Sequence, residues 1–389
     1  MARVAVFHNT LDFRGGADVV CLEACAALAA EHDVTLYTVS RTDPSELAAR
    51  FDVPFDATVV QPPGARALAG ALATLGSTIG PQLAARTALL RAFFQGHADA
   101  YDAALSTANE VSLPVPSVQY VHFPQFHLDR TSEADAGRID WLWSRLAAPT
   151  LGRTSDHSRE GRTRPERTTR PNRTQPERTR LLANSSWTAD VVADVYGDRP
   201  TVCHPPVDPI PGRDWADREH GVLVLGRIAP DKRVLDAIGV VDALRDRGYD
   251  LACHVVGSAP PAYREYVRRV ERASATREYV TLETDVDRER VLECLGRYRY
   301  GLNMKPREHF GMAVAEYVAA GMLPFAPDDG GQVDVLAGDD RLLFADDDGA
   351  VARIADAIDA DRRPFLPRDR FERDRFAAEI REHLADILK

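Results

Sequence analysis

The sequence predicts an α/β protein built from two doubly wound domains, each with its own parallel sheet. Three observations carry that reading. In the second half, short apolar runs at 222–225, 251–256, 279–282, 301–304, 323–326 and 342–344 alternate with helical stretches such as 234–247 and 288–295, the pattern of strands connected by crossover helices. The first half repeats the scheme, with strand-like runs at 4–7, 34–39, 103–106 and 117–121. The chain of 389 residues also exceeds one comfortable core, and two domains fit its length. The proline-rich stretch 204–211 reads as a hinge, which puts the domains at 1–205 and 206–369.

Residues 1–7 enter the first strand with no charged-then-apolar leader, so a cytoplasmic location is expected. Further along, 67–85 is uncharged and rich in Ala, Leu and Gly, but Gly70, Gly76, Gly80 and Pro81 make it a poor spanning helix. Two readings of it stay open: a buried helix pair, or an apolar surface that rests on a bilayer. Residues 152–180 are rich in Arg, Thr, Pro and Glu and contain two near copies, 162–168 and 173–179. Almost without apolar residues, they cannot form a core and are expected to be an insertion that is disordered or loosely helical. The local basic excess suits a solvated surface first and anionic lipid second. Nucleic acid is not expected, because stacking aromatics are missing there.

Composition narrows the class further. Cys21, Cys25, Cys203, Cys253 and Cys294 are odd in number and scattered over apparent core elements, which argues against a disulfide framework or a zinc site. The formal charge is −11, and lysine occurs only at Lys232, Lys305 and Lys389. That balance reads as a halophile-like solubility strategy.

The informative charges lie in the second domain. Residues 307–321 read as an almost wholly apolar helix that opens near His309 and ends at Gly321, a natural C-terminal cap. Yet Glu308 stands at its mouth and Glu316 inside it. Burying an ionised carboxylate is costly unless something pairs with it, so a polar partner is expected beside Glu316. At ~1.5 Å rise per residue the two carboxylates would stand roughly 12 Å apart, about the reach of a nucleotide diphosphate. Gly311 in the first turn would leave backbone N–H groups open to phosphate. Ahead of this helix, Gly226-Arg227-Ile228-Ala229-Pro230-Asp231-Lys232 follows the 222–225 strand, where an open α/β sheet has its usual ligand crevice. Arg227 and Lys232 there can stabilise the charge on a departing diphosphate without proton transfer. Taken one at a time, the same residues also fit a helix cap, a core-edge ion pair and a solvated loop.

Taken together, they resemble the family-four retaining glycosyltransferases of the GT-B fold. The pattern is Glu308, seven residues, then Glu316, preceded by Gly226-Arg227 with Lys232 five positions after the arginine. Arg14-Gly15-Gly16-Ala17, Ala183-Asn184-Ser185-Ser186-Trp187, Pro205-Pro206-Val207-Asp208 and Gly330-Gly331 extend the likeness through most of the chain. Glu308-His309-Phe310-Gly311 and Tyr120-Val121-His122-Phe123-Pro124 are also similar to the dolichol-linked oligosaccharide α-1,2-mannosyltransferase subgroup.

That resemblance implies two Rossmann-like domains facing a central cleft, the first receiving the acceptor and the second the donor. The last helix, 370–389, would pack back on the first domain. It also implies transfer of a hexose from a nucleotide-diphosphate sugar, GDP-mannose ahead of UDP-sugars, to a saccharide or lipid-linked glycan, with peripheral membrane contact where the acceptor is lipid-borne. Arg227 and Lys232 would hold the diphosphate, helped by the backbone of Phe310, Gly311 and Met312 and by the Gly15-Gly16 turn. Glu316 would bind the ribose, Glu308 would face the hexose, and His122 would contact the hexose or guide the acceptor. Asp285 and Asp287 lie where the nucleobase packs, or simply start the next helix. No Asp-x-Asp metal cluster stands out, so neither a metal nor another cofactor is expected. Two rivals differ in chemistry: an epimerase or phosphorylase of the same fold, with Lys305 as the available cofactor lysine, and a non-catalytic scaffold or nucleic-acid binder using the Arg-rich segment. The joint presence of Arg227, Lys232, Glu308 and Glu316 counts against the scaffold.

Overall fold

A computed structural model describes residues 1–79, 82–125 and 178–389. The proposed insertion therefore lies outside the described residues up to 177. The chain forms two compact units, Met1–Cys203 with Ala377–Lys389, and His204–Phe376. The final helix, Arg373–Leu388, begins in the second unit and ends in the first.

Among the described residues the first unit carries seven strands: β1 (Arg3–His8), β2 (Asp33–Thr38), β3 (Thr58–Val60), β4 (Ala103–Ser106), β5 (Ser117–Val121), β6 (Thr179–Ala183) and β7 (Thr201–Val202). Their order is β3-β2-β1-β4-β5-β6-β7, and all pairs are parallel. Strands β1, β2, β4 and β5 are buried almost end to end, which is why they read as unbroken apolar runs rather than alternating ones. Phe7 packs edge-on against Phe94 at 4.7 Å between ring centroids, and Tyr37 against Phe94 at 5.3 Å.

Two features of this unit differ from the sequence reading. Thr179 and Arg180 belong to β6, so the insertion stops short of them; Leu181 and Leu182 bury the strand while Arg180 reaches Asp386 at 3.2 Å. The short strands β3 and β7, of three and two residues, carry too little apolar pattern to be read. The 67–85 stretch contributes to two helices, Ala65–Ile79 and Leu83–Phe94, with Ala65 and Ala69 buried and Leu68 exposed. Among the described residues no helix is long and apolar enough to cross a membrane.

The second unit holds β8 (Glu219–Leu225), β9 (Ala252–Gly257), β10 (Val280–Thr284), β11 (Tyr298–Leu302), β12 (Leu323–Pro327) and β13 (Leu343–Phe344), ordered β10-β9-β8-β11-β12-β13 and again all parallel. Both units are thus Rossmann-like α/β domains, and in each the strand order reverses at one place: between β1 and β4, and between β8 and β11. Ligands of such sheets bind beside the carboxyl ends of the strands at that reversal. Strand β11 starts earlier than its apolar run, because Tyr298 and Tyr300 are buried either side of a half-buried Arg299. Asn303 and Met304 fall in the loop after it.

The helix expected from His309 to Gly321 is shorter, Met312–Ala319. Gly311 lies ahead of it at φ 99°, a left-handed conformation that suits glycine, and not within its first turn. Gly321, at φ 70°, follows its end. Glu308 and His309 consequently lie in the loop before the helix.

Candidate active site

The site is built from two loops at the strand reversal of the second unit. The first leaves β8 through Gly226, at φ 149°, whose carbonyl passes so close to Gly257 that no side chain fits there. The loop tightens into a single 3-10 turn, Pro230–Lys232, and Arg233 at φ 51° leads into the helix Val234–Asp246. Lys232 is thereby presented from a constrained turn. The second loop leaves β11 at Asn303 and carries Lys305, Arg307, Glu308 and His309.

The second loop is fixed from behind by residues that the sequence did not single out. Gln332 is fully buried; its amide donates to the carbonyls of Lys305 (3.0 Å), Pro327 (3.1 Å) and Asp329 (2.9 Å) and accepts from Asn303 at 2.6 Å. Glu308 forms an isolated parallel bridge with Gly330, and its carbonyl accepts from the Gly331 N–H at 2.6 Å. A Cβ on Gly330 would lie 2.5 Å from the Glu308 nitrogen, so Gly330 has to be glycine for the two loops to meet.

Lys232 donates to Glu308 Oε2. Lys305 approaches the other oxygen, Oε1, at 3.7 Å, and lies 3.4 Å from Asp231. Arg227 is exposed, bonded to Asp231 at 3.2 Å and set 5.7 Å from the Tyr263 ring. Three cations and two carboxylates therefore share one patch, and the cations are in excess. Burial alone would raise the Glu308 carboxyl, but Lys232 and then Lys305 outweigh it and hold the group at about 2. Burial takes His309 down to about 4, with Lys305 and Lys232 adding to the effect against Glu308. Near neutral pH the site thus presents an ionised glutamate beside a neutral histidine.

Glu316, inside the Met312–Ala319 helix, has the polar partner its sequence context demands: Arg288 donates to it at 2.6 Å. Arg288 opens the helix Arg288–Arg297, whose cap is Asp287, accepting from the Arg290 N–H at 2.9 Å. Asp285 accepts from the Ala259 N–H at 3.1 Å. Phe310 is buried, with its ring 5.4 Å from that of Phe371, so its side chain belongs to the core. Met312 is half-buried at the first helical position.

Gly15, Gly16 and His122 belong to the first unit. Gly15 caps the helix Gly16–Ala29, and its N–H donates to Asp18 at 3.1 Å; Asp18 in turn pairs with buried His8 at 2.9 Å. The His122 N–H donates to Asn109 Oδ1 at 2.7 Å, and its ring lies 5.1 Å from that of Tyr120. Neither His8-Asp18 nor Asn109 was legible in advance, because the contacts of His8 with Asp18 and of Asn109 with His122 join residues ten and 13 positions apart that only the fold brings together.

All five cysteines are buried and none forms a disulfide. One His/Cys/Glu group among the described residues, His254, Glu283 and Cys294, brings potential ligand atoms within 4.8 Å. Its carboxylate is taken by Arg290, at 2.9 and 2.7 Å, and by His254 at 3.0 Å.

Fold and site together define a two-domain α/β protein of the GT-B kind, with a cationic patch at the strand reversal of its second domain. Residues 212–364 match the family Glycosyl transferases group 1. The chain is similar to the GDP-Man:Man(3)GlcNAc(2)-PP-Dol alpha-1,2-mannosyltransferase of Eremothecium gossypii, 25% identical over 159 residues, covering 37% of this chain and 27% of that protein. The counterpart from Dictyostelium discoideum is 20% identical over 239 residues, 54% of this chain and 47% of its own length. The matched stretches thus span less than half the length of these relatives. Among solved structures, Anabaena HepE in complex with UDP and glucose superposes with a TM-score of 0.66 at 14% identity, covering 99% of this chain and all of that one. The resemblance read from the motifs, family four with similarity to the α-1,2-mannosyltransferases, is borne out, and so is the GT-B fold.

Proposed function

We propose that this protein is a retaining hexosyltransferase, moving a hexose from a nucleotide-diphosphate sugar to a hydroxyl of a saccharide or lipid-linked glycan. GDP-mannose is the first donor in this reading and UDP-sugars the second. The observation that carries it is the Lys232–Glu308 pair at the carboxyl ends of β8 and β11, flanked by Lys305 and Arg227. The group 1 match over 212–364 and the likeness to proteins named as GDP-mannose-dependent transferases support the same reading.

In it, the bond between the sugar C1 and the leaving phosphate breaks while the acceptor oxygen bonds to C1 on the same face. The acceptor proton passes to the departing phosphate. Arg227 and Lys232 stabilise the charge gathering on that phosphate, a term that grows only as the bond breaks and therefore speeds the reaction. Cations serve the diphosphate here, so no essential metal or other cofactor is part of the proposal. Glu308, held as a carboxylate, has no proton to give. Its use is to face positive charge developing at C1. Glu316 accepts from the ribose hydroxyls, and the backbone of Phe310, Gly311 and Met312 lies toward the phosphates. From the first unit, the Gly15-Gly16 turn is assigned to the phosphates and His122 to the hexose or acceptor. A cytoplasmic location, peripheral at the membrane where the acceptor is lipid-borne, completes the reading.

The test is a thermal-shift panel of nucleotide sugars followed by a transfer assay with the donor that stabilises most. Glu308→Gln and Lys232→Ala should abolish transfer while leaving the melting transition cooperative. Transfer that survives either change would remove the assigned site.

A further inference from the structure

We propose that Lys305 is a positioning residue that keeps Glu308 ionised and in place when Lys232 turns from that carboxylate to a diphosphate. This rests on the transferase reading above, which gives Lys232 two duties. In the structure it donates to Glu308, and in the reaction it serves the leaving group. Glu308 is only 15% exposed, and a carboxylate so placed cannot lose its counter-ion cheaply.

The geometry supplies a second cation. Lys232 uses Oε2 of Glu308, and Lys305 stands 3.7 Å from Oε1, so the two do not compete for one oxygen. Lys305 is itself steadied by Asp231 at 3.4 Å, which also holds Arg227. Its backbone is clamped at both ends: its N–H donates to Asn303 Oδ1 at 3.4 Å, and its carbonyl accepts from Gln332 at 3.0 Å. A mobile lysine would not need such seating. Composition sharpens the point, since two of the three lysines in the chain meet on one carboxylate.

The groups facing Glu308 are Lys232 from the β8 loop, with Asp231 beside it, and Lys305 and His309 from its own loop. Arg307 is turned to Asp329 at 3.6 Å. With Lys232 withdrawn, Lys305 is the charge that remains on the carboxylate. Without Lys305 as well, Glu308 takes a proton, and both its charge and its orientation are lost.

Two measurements on the full chain test this. The first needs no turnover: the Glu308 carboxyl is titrated by ¹³C NMR of glutamate-labelled protein in Lys232→Ala and in Lys232→Ala/Lys305→Met, with Glu308→Gln identifying the resonance. The single variant should keep Glu308 ionised through the weakly acid range, and the double variant should protonate there. Equal titration in both overturns the proposal. The second is the transfer assay. Lys305→Met should lower kcat by roughly 10- to 100-fold, shift the acid limb of the kcat profile to higher pH and leave donor KM nearly unchanged, with Lys305→Arg restoring most of the rate. A Lys305→Met protein with wild-type kcat and pH profile, or one that loses only KM, also overturns it. A wild-type protein that transfers from none of the donors overturns the function proposed, a result on which the titration does not depend.

Discussion

Arg288 Nη1 lies 2.6 Å from Glu316 Oε1, so the one carboxylate inside an otherwise apolar helix is paired with a cation from the start of the preceding helix, Arg288–Arg297. Both side chains are mostly shielded, at 27% and 16% exposure. Removing one partner leaves the other charged and half-buried, which costs more than the pair itself contributes. Arg288→Ala should therefore destabilise the second unit by about 1–3 kcal/mol, read by urea denaturation. Glu316→Gln should cost less, because an amide still accepts from Arg288. If Glu316 binds the ribose, Glu316→Gln should nonetheless be the variant that loses nucleotide-induced thermal stabilisation. The opposite ranking, with stabilisation by nucleotide intact in Glu316→Gln, would separate this pair from the donor site.

Gly330→Ala tests how Glu308 is held. The residue sits at φ 86°, and a Cβ there would meet the Glu308 nitrogen at 2.5 Å and its carbonyl oxygen at 2.6 Å. These are backbone atoms, which cannot swing aside. Strain at such a position costs on the order of 1–3 kcal/mol, and relief requires the 307–308 backbone to move away from the 330–331 turn. Transfer should fall far more than stability does. Equal, small losses in both would mean that the loop tolerates the displacement and that the position of Glu308 matters little.

The reach of the sequence can be judged on these residues. Glu316 announced its need for a partner, because an acidic residue among Val314, Ala315, Tyr317 and Val318 has no other explanation, but nothing local could name Arg288, 28 positions earlier. The strands were legible where both faces are buried along their length, and were missed where shortness, alternation or a polar start hid them, as at β3, β6, β7 and the start of β11. Arg227, Lys232 and Glu308 were legible as a motif; the structure brings Lys232 onto Glu308 and leaves Arg227 exposed beside Asp231. Gln332 and Asn303 were invisible. A glutamine after two glycines has no periodic signature, and its value lies in contacts with loops that only the fold brings together.

Asn109 offers a test of His122. At φ 64° it occupies the left-handed region, which asparagine tolerates better than most side chains, and its Oδ1 accepts from the N–H groups of His122 (2.7 Å) and Phe123 (3.2 Å). Asn109→Gly keeps the backbone conformation and removes the acceptor. If placement of His122 matters to transfer, this variant should lose roughly 10-fold or more in rate with a modest change in melting temperature, and His122→Ala should lose at least as much. Full activity in His122→Ala would confine that histidine to a structural part.

Acid should weaken the second unit in two overlapping steps whose sign follows from the direction of each shift. His309, lowered by burial from 6.5 to about 4, stays neutral in the folded protein while the unfolded chain takes up a proton. Its contribution is complete above pH 6.5 and is lost as the pH falls through about 4. Glu308 is raised by burial but lowered more by Lys232 and Lys305, from 4.5 to about 2. Its contribution is complete above pH 4.5 and is lost as the pH falls toward about 2. At ~1.4 kcal/mol per unit, the Glu308 window is worth on the order of 3 kcal/mol. Other carboxylates titrate in the same range, so the informative quantity is a difference: urea-unfolding free energies of wild type minus Glu308→Gln, and of wild type minus His309→Gln, followed from pH 7 to pH 3. The first difference should shrink only below about pH 4.5, the second already below about pH 6.5. A Glu308→Gln protein as acid-sensitive as wild type below pH 4.5 would show that the two lysines do not hold that carboxylate in solution, and the charge arrangement assigned to the site would fail with it.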